Sequence, residues 1–119
     1  MRDAYRLRVT TAAEDLAVLT YVVTSHFPKD ERFGLIAQMR RAAVSVGSNI
    51  CEGCGHESDR AFLPFLHHAL ASDGELEFQA RLSRRLRFGV ESEVAALLEE
   101  SGAMKRQLAT LISTVRKRV

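Results

Sequence analysis

Apolar residues recur along this chain at alternating spacings of three and four, which predicts helices that each bury one stripe. The first such segment runs from about Ala4 to His26. Val9, Ala12, Leu16, Leu19 and Val23 form a heptad-like seam along it. Phe27 and Pro28 close it, because the residue before a proline avoids helical backbone. The second segment starts near Asp30, whose carboxylate suits a helix N-terminus, and ends near Gly53. Its core stripe is Phe33, Ile36, Met39, Ala43, Val46 and Ile50. Gly53, Cys54, Gly55 and His56 then make a glycine-rich turn. The third segment starts near Ser58, a good N-cap followed by Asp59 in the first turn, and runs to about Leu86. Phe62, Leu66, Ala69, Leu76 and Ala80 make its stripe. Pro64 is awkward there, because an interior proline removes a hydrogen bond and clashes one turn back. Either the helix kinks, or its regular part begins at Pro64. Gly89 ends this region, and the fourth segment starts near Glu91. Val94, Leu97, Ser101, Met104, Leu108, Leu111 and Val115 continue the heptad rhythm along it. No segment alternates with the period of two that a half-buried strand needs. Four helices on short connections predict one all-α domain over residues 1–119, an antiparallel up-down-up-down four-helix bundle. Its 3.5-residue seams favour crossings of roughly 20°.

Composition agrees with a single packed domain. The chain has 119 residues, 46% of them hydrophobic and 27% charged, which excludes intrinsic disorder. A net charge of +2, from 17 basic and 15 acidic residues, permits contact with nucleic acid without demanding it. The arginines matter more than the total because they cluster: Arg81, Arg84, Arg85 and Arg87, then Arg116, Lys117 and Arg118. Both groups fall at helix C-terminal ends, where cations complement the helix dipole. Dipole complementation is therefore the first reading of these residues. Phosphate contact by both clusters, with Arg81, Arg84 and Arg85 as the candidate contacts, is the alternative. The chain has no tryptophan, and no aromatic residue clearly interleaves with these arginines, which argues against a stacking platform for single strands. The charged N-terminus has no apolar stretch of the kind a signal peptide carries, and no apolar run approaches the ~20 residues that span a bilayer. The expectation is a cytoplasmic protein, away from membranes, with both cysteines reduced.

The second helix carries the most informative polar face. Opposite its stripe stand Gln38, Arg41, Ser45, Ser48, Asn49 and Glu52. A merely solvated face is usually filled with lysine, glutamate and long flexible groups. This one is short, amide-bearing and closely packable. Gly34, Ala37, Ser45 and Ser48 allow close backbone approach. Gln38 and Asn49 can make paired hydrogen bonds, and Arg41 can pair with Glu52 or with a neighbour's carboxylate. Arg40 lies about 100° from Arg41, borders the core stripe and can extend its stem along it. The face reads as a contact surface for another protein copy or for nucleic acid, with water or the chain's own bundle as the plainer alternative. Paired buried polar groups fix register, and this favours assembly.

The residues that could carry other chemistry are isolated. Cys51 and Cys54 with His56 look like a metal fragment, but a closed zinc site needs four ligands and no second CxxC exists. His67 and His68 are adjacent, so they diverge and cannot chelate one ion together. Asp73 and Glu77 stand one turn apart without a nucleophile or histidine base, and are expected to meet Arg81 or Arg84 on the following turns, or basic groups across an interface. No catalytic residue, metal or cofactor is expected.

From Phe27 to Gly53 the sequence reads FPKDERFGLIAQMRRAAVSVGSNICEG. Its Phe27, Pro28, Glu31, Phe33, Gly34, Leu35, Gln38, Arg40, Arg41, Ala42, Ala43, Ser45, Asn49, Ile50, Glu52 and Gly53 resemble the signature of the 23S rRNA intervening-sequence proteins. The likeness continues through Gly55, Ser58, Phe62, Phe65, Leu66 and Ala69, then Ser72, Glu75, Leu76 and Glu77. The first and fourth helices match only in length and pattern. The resemblance implies a non-enzymatic four-helix bundle that forms a ring-like homo-oligomer, a pentamer, and that contacts rRNA or other nucleic acid. A second implied role is a protein–protein adaptor, as in relatives whose ring supports a reverse transcriptase. The chain departs from the pattern at His56, where arginine is frequent, and at Asp73, where leucine is expected. Cys51, Gly47, Ala71 and Pro64 are further departures.

Overall fold

The computed structural model describes residues 2–119, with side chains described from Arg8 onward. Four helices account for most of the chain: α1 (Arg2–Thr24), α2 (Leu35–Cys54), α3 (Asp59–Arg85) and α4 (Glu91–Arg116). A single 3-10 turn, Lys29–Glu31, stands between α1 and α2. Among the described residues there is no strand. The helices pack side by side into a body of 45 × 23 × 19 Å.

Cross-helix contacts fix how the helices run. On α1 and α2, Arg40 Nε donates to Thr24 Oγ1 at 2.9 Å, while Gly47 lies against Ala13. On α2 and α3, Ser83 meets Met39 at 3.5 Å and Ser72 meets Ser45 at 2.8 Å. On α3 and α4, Ser101 Oγ donates to Asp73 Oδ1 at 2.8 Å and Arg116 meets His67 at 3.2 Å. Between α1 and α4, His26 Nδ1, two residues past the end of α1, lies 2.9 Å from Glu93 Oε1, while Leu19 shares a surface groove with Glu99 and Ala103. In each pair, early residues of one helix meet late residues of the other, so these neighbours run in opposite directions. Each helix packs on two others, and α1 and α3 lie across a diagonal from each other.

The core runs the length of the body. Leu16, Met39, Ile50, Phe62, Leu76 and Leu108 are completely enclosed. Burying each such side chain stabilises the fold by roughly 1.5–3 kcal/mol relative to exposure. All the stripe residues expected on α3 and α4 are buried, including Ser101.

Two expectations need correction. Phe33 is 87% exposed, because the helix starts two residues after it. Glu31 Oε1 accepts from Leu35 N at 3.2 Å and so starts α2 at Leu35, leaving Phe33 outside the helix and off its stripe. On α1 the fully buried seam is rotated by one residue, onto Ala13 and Thr20 in place of Ala12 and Leu19. Thr20 tolerates burial because its hydroxyl donates to Leu16 O at 2.8 Å, the local back-bonding open to Ser and Thr within a helix. The expected start of α3 near Ser58 holds, and of the two alternatives left at Pro64 the structure excludes a regular part that begins there. The chain is helical from Asp59, with Ser58 Oγ accepting from Ala61 N at 3.1 Å, and the helix continues through the proline.

The α2–α3 crossing depends on a glycine. A Cβ placed on Gly53 would stand 2.7 Å from Phe65 Cβ and 2.8 Å from Phe62 Cδ1. Only a residue without a side chain lets the end of α2 approach the start of α3 this closely.

Candidate functional site

The polar face of α2 divides into two parts. Arg40, Ser45 and Asn49 are engaged by the chain itself. The Arg40 guanidinium lies over the Tyr21 ring at 4.4 Å, a cation–π contact, and also donates to Thr24. Ser45 shares a hydrogen bond with Ser72 of α3. Asn49 Nδ2 donates back to Ser45 O at 2.8 Å and to Ser45 Oγ at 3.1 Å. Gln38, Arg41, Ser48 and Glu52 point outward and are exposed. Arg41 and Glu52 cannot pair within one chain, because three turns, about 16 Å of axis, separate them.

Beside this strip lies an apolar one that sequence reasoning missed. Val18 is 64% exposed, and Tyr21, Val22 and Val44 are close to half exposed. On α1, Val18 and Val22 point away from the core. Tyr21 leans toward α2 under Arg40, and the exposed Val44 stands one turn on from Arg40. The outward face of α3 carries a second such strip. Phe78 is 66% exposed and Leu82 follows one turn later, with the exposed Ala71 two turns before. Gly74, between them, has open space above it. The signal was present in the sequence: Val18, Val22, Phe78 and Leu82 are apolar and fall off the core stripes.

Asp73, expected to meet an arginine, instead sits 1% exposed inside the bundle and accepts the Ser101 hydroxyl proton. Its pKa is raised to about 6, chiefly by burial and to a lesser degree by the Glu77 carboxylate, against the lowering pull of the Ser101 hydrogen bond and Lys105. Its neighbour Glu77 does meet Arg81, at 3.9 Å on the next turn.

The basic residues gather at the end of the bundle that holds the α3–α4 turn. Arg84 and Arg85 stand in the last turn of α3, where the dipole reading places them. Arg87 lies beyond the helix. Together with Phe88, Gly89 and Glu91 these three arginines line a cleft of about 720 Å³. Arg81 stands a turn earlier and is not part of it.

Cys51 and Cys54 are free thiols, the first exposed. The His56 ring stacks on Phe65 with centroids 5.0 Å apart, and Phe65 meets His68 edge-on at 6.4 Å. Among the described residues, no group of three or more His, Cys, Asp or Glu could hold a metal ion. No helix among them is long and apolar enough to cross a membrane.

Comparisons with known proteins agree with this architecture. Residues 5–110 match the family described as 23S rRNA-intervening sequence protein. No curated protein matches the chain. Among solved structures, the chain is similar to a Bacteroides thetaiotaomicron protein of unknown function from the S23 ribosomal protein family. The two are 21% identical over 92% of this chain and 98% of that one, with a TM-score of 0.81.

Proposed function

This chain belongs to the 23S rRNA-intervening sequence protein family, and from that premise we propose that it works without catalysis, as a self-assembling helical bundle in the cytoplasm that holds RNA or DNA. Copies associate into a homo-oligomer, a pentamer by family resemblance. The observation that carries this reading is the placement of apolar side chains on two surfaces of one bundle: Val18, Tyr21, Val22 and Val44 on the α1–α2 side, and Ala71, Phe78 and Leu82 on α3. Apolar patches rimmed by polar groups are where proteins meet partners. Here Gln38, Arg41, Ser48 and Glu52 form the rim of the α1–α2 patch. Arg41 and Glu52, too far apart to pair within a chain, are free to pair between chains.

Light scattering with and without nuclease treatment tests the proposal. The expected mass is about five times the 13.3 kDa of one chain, unchanged by nuclease, while the absorbance at 260 nm relative to 280 nm falls. A mass of one chain at all concentrations overturns self-assembly and leaves the adaptor role, recruitment of a different protein, in its place.

A further inference from the structure

The cleft at the α3–α4 turn begins within one helical turn beyond Leu82, at the end of the α3 strip, and its chemistry is more specific than a general basic charge. Arg84, Arg85 and Arg87 stand in its wall, with Glu91 as the one acidic residue. Among the described residues none of the three guanidinium groups is ion-paired. The cleft therefore carries a formal excess of two positive charges, offset only in part by the C-terminal dipole of α3. Its volume of about 720 Å³ is in the range of sites that enclose small ligands.

The backbone makes Arg87 unusual. Phe88 N–H bonds to Ser83 O at 3.0 Å and Arg87 N–H to Arg84 O at 3.1 Å. This pair of bonds is the Schellman ending of a helix, whose left-handed residue is usually glycine. Here that residue is Arg87, with φ 58°, and it is the one non-glycine residue with positive φ among those described. A side chain is disfavoured in this conformation, and a residue kept in it argues for a use of that side chain. The turn itself is rigid. Phe88 packs on Phe27 with centroids 5.7 Å apart, and Gly89, at φ 73°, leaves no room for a Cβ beside the Phe27 ring. Three arginines are thus presented from a fixed platform rather than from a floppy loop.

We propose that this cleft binds the backbone phosphates of one or two nucleotides of single-stranded nucleic acid, held by Arg84, Arg85 and Arg87. The planar fork of arginine pairs with phosphate through two parallel hydrogen bonds. Successive phosphates of a strand supply the two negative charges that the cleft leaves unbalanced. A concave pocket at a turn admits a flexible strand, whereas the stiff backbone of a duplex bridges over it. The inference rests on the nucleic-acid part of the function proposed above and names its surface.

Fluorescence anisotropy with labelled oligouridylate and oligodeoxythymidylate tests it and separates RNA from DNA as the source of the phosphate. A hairpin duplex and oligoglutamate serve as competitors. Arg87→Gly is the informative variant, because it removes a guanidinium while relieving the backbone. Its Tm rises by roughly 4 °C, its affinity for the single strand falls roughly tenfold, and its plot of log K against log salt becomes shallower by about 0.7. Glu91→Gln tightens binding. Affinity unchanged in the combined Arg84→Gln, Arg85→Gln, Arg87→Gly variant overturns the cleft while leaving nucleic-acid binding elsewhere intact. Competition by oligoglutamate as strong as by oligouridylate overturns it in favour of an acidic protein partner, and preference for the duplex overturns the single-strand assignment. If the unmodified protein binds no oligonucleotide at low salt, the cleft and the nucleic-acid part of the proposed function fall together.

Discussion

Asp73 places a carboxylate where the stripe of α3 calls for an apolar residue, and it couples the stability of the bundle to pH. Its folded-state pKa of about 6 lies above the 3.8 of an ordinary aspartate, so the folded protein holds this proton more tightly than the unfolded chain does. The group's contribution is full below about pH 4 and is lost as the pH rises through 6, when a charge must be held inside the bundle. A shift of this size corresponds to on the order of 2–3 kcal/mol. Asp73→Asn keeps an oxygen to accept from Ser101 and carries no charge. Urea unfolding is expected to show the variant about 2 kcal/mol more stable than wild type at pH 7.5 and equal to it at pH 4. A difference that stays constant across this range would show that desolvation of the carboxylate is not the cause. The sequence placed Asp73 on the core side but gave it the wrong partner. Reasoning along one helix reaches residues three or four positions away, such as the arginines. The true partner, Ser101, lies on another helix, and its hydroxyl gives no sign in the sequence of where it points.

At the scale of the helix, α3 carries a defect that its surroundings tolerate. Pro64 stands in the second turn, where it removes one backbone hydrogen bond and presses on the preceding turn. The segment stays helical because it is anchored on both sides. Ser58 caps the start, and Phe62 and Leu66, which flank the proline, are fully buried. Pro64 itself is exposed, so replacing it disturbs no packing. Pro64→Ala is therefore expected to stabilise the protein by roughly 1–3 kcal/mol, read as a rise in Tm in thermal unfolding. No change in Tm would mean that the helix already absorbs the missing bond without cost. The elements themselves were legible in the sequence, because stripes at three-and-four spacing leave little choice of type, and the cap at Ser58 and the acidic first turn at Glu91 mark where helices begin. The errors share one physical origin. Phe33 was assigned to a helix that starts later, since the first helical N–H, that of Leu35, is taken by Glu31 Oε1 and the N-cap is Gly34, not a residue near Asp30. The α1 seam was set one residue off because Thr20 was counted as polar, although its hydroxyl is satisfied within its own helix. The candidate site was less legible. Polar residues such as Asn49 and Ser45 look available in sequence, and only the fold reveals that they bond to each other. The exposed apolar strips were hidden among the core residues they resemble.

For the whole molecule, the directions of those strips limit how copies can meet. The α1 strip and the α3 strip stand on helices at opposite corners of the bundle, so they point away from each other. They also differ in shape, with small valines and a tyrosine on one and a protruding phenylalanine on the other. Two unlike surfaces on opposite sides favour head-to-tail contacts, which close into a ring or extend into a filament. A two-fold dimer would instead place one strip against its own copy. Charge placed in each strip separates these cases. Val18→Glu disables one surface on every copy, and Phe78→Glu disables the other. In a head-to-tail assembly each variant alone is expected to run at 13.3 kDa, since every contact needs both surfaces. Mixed in equal amounts, the two variants each retain the surface the other lacks. They are expected to form a complex of twice that mass that grows no further, seen by light scattering. A two-fold contact through α3 predicts otherwise: Val18→Glu would keep the mass of the unmodified protein, and mixing would add nothing. If neither variant changes the assembled mass, the strips are not the contact surfaces, and the outward residues of α2, tested by Arg41→Glu, become the next place to look.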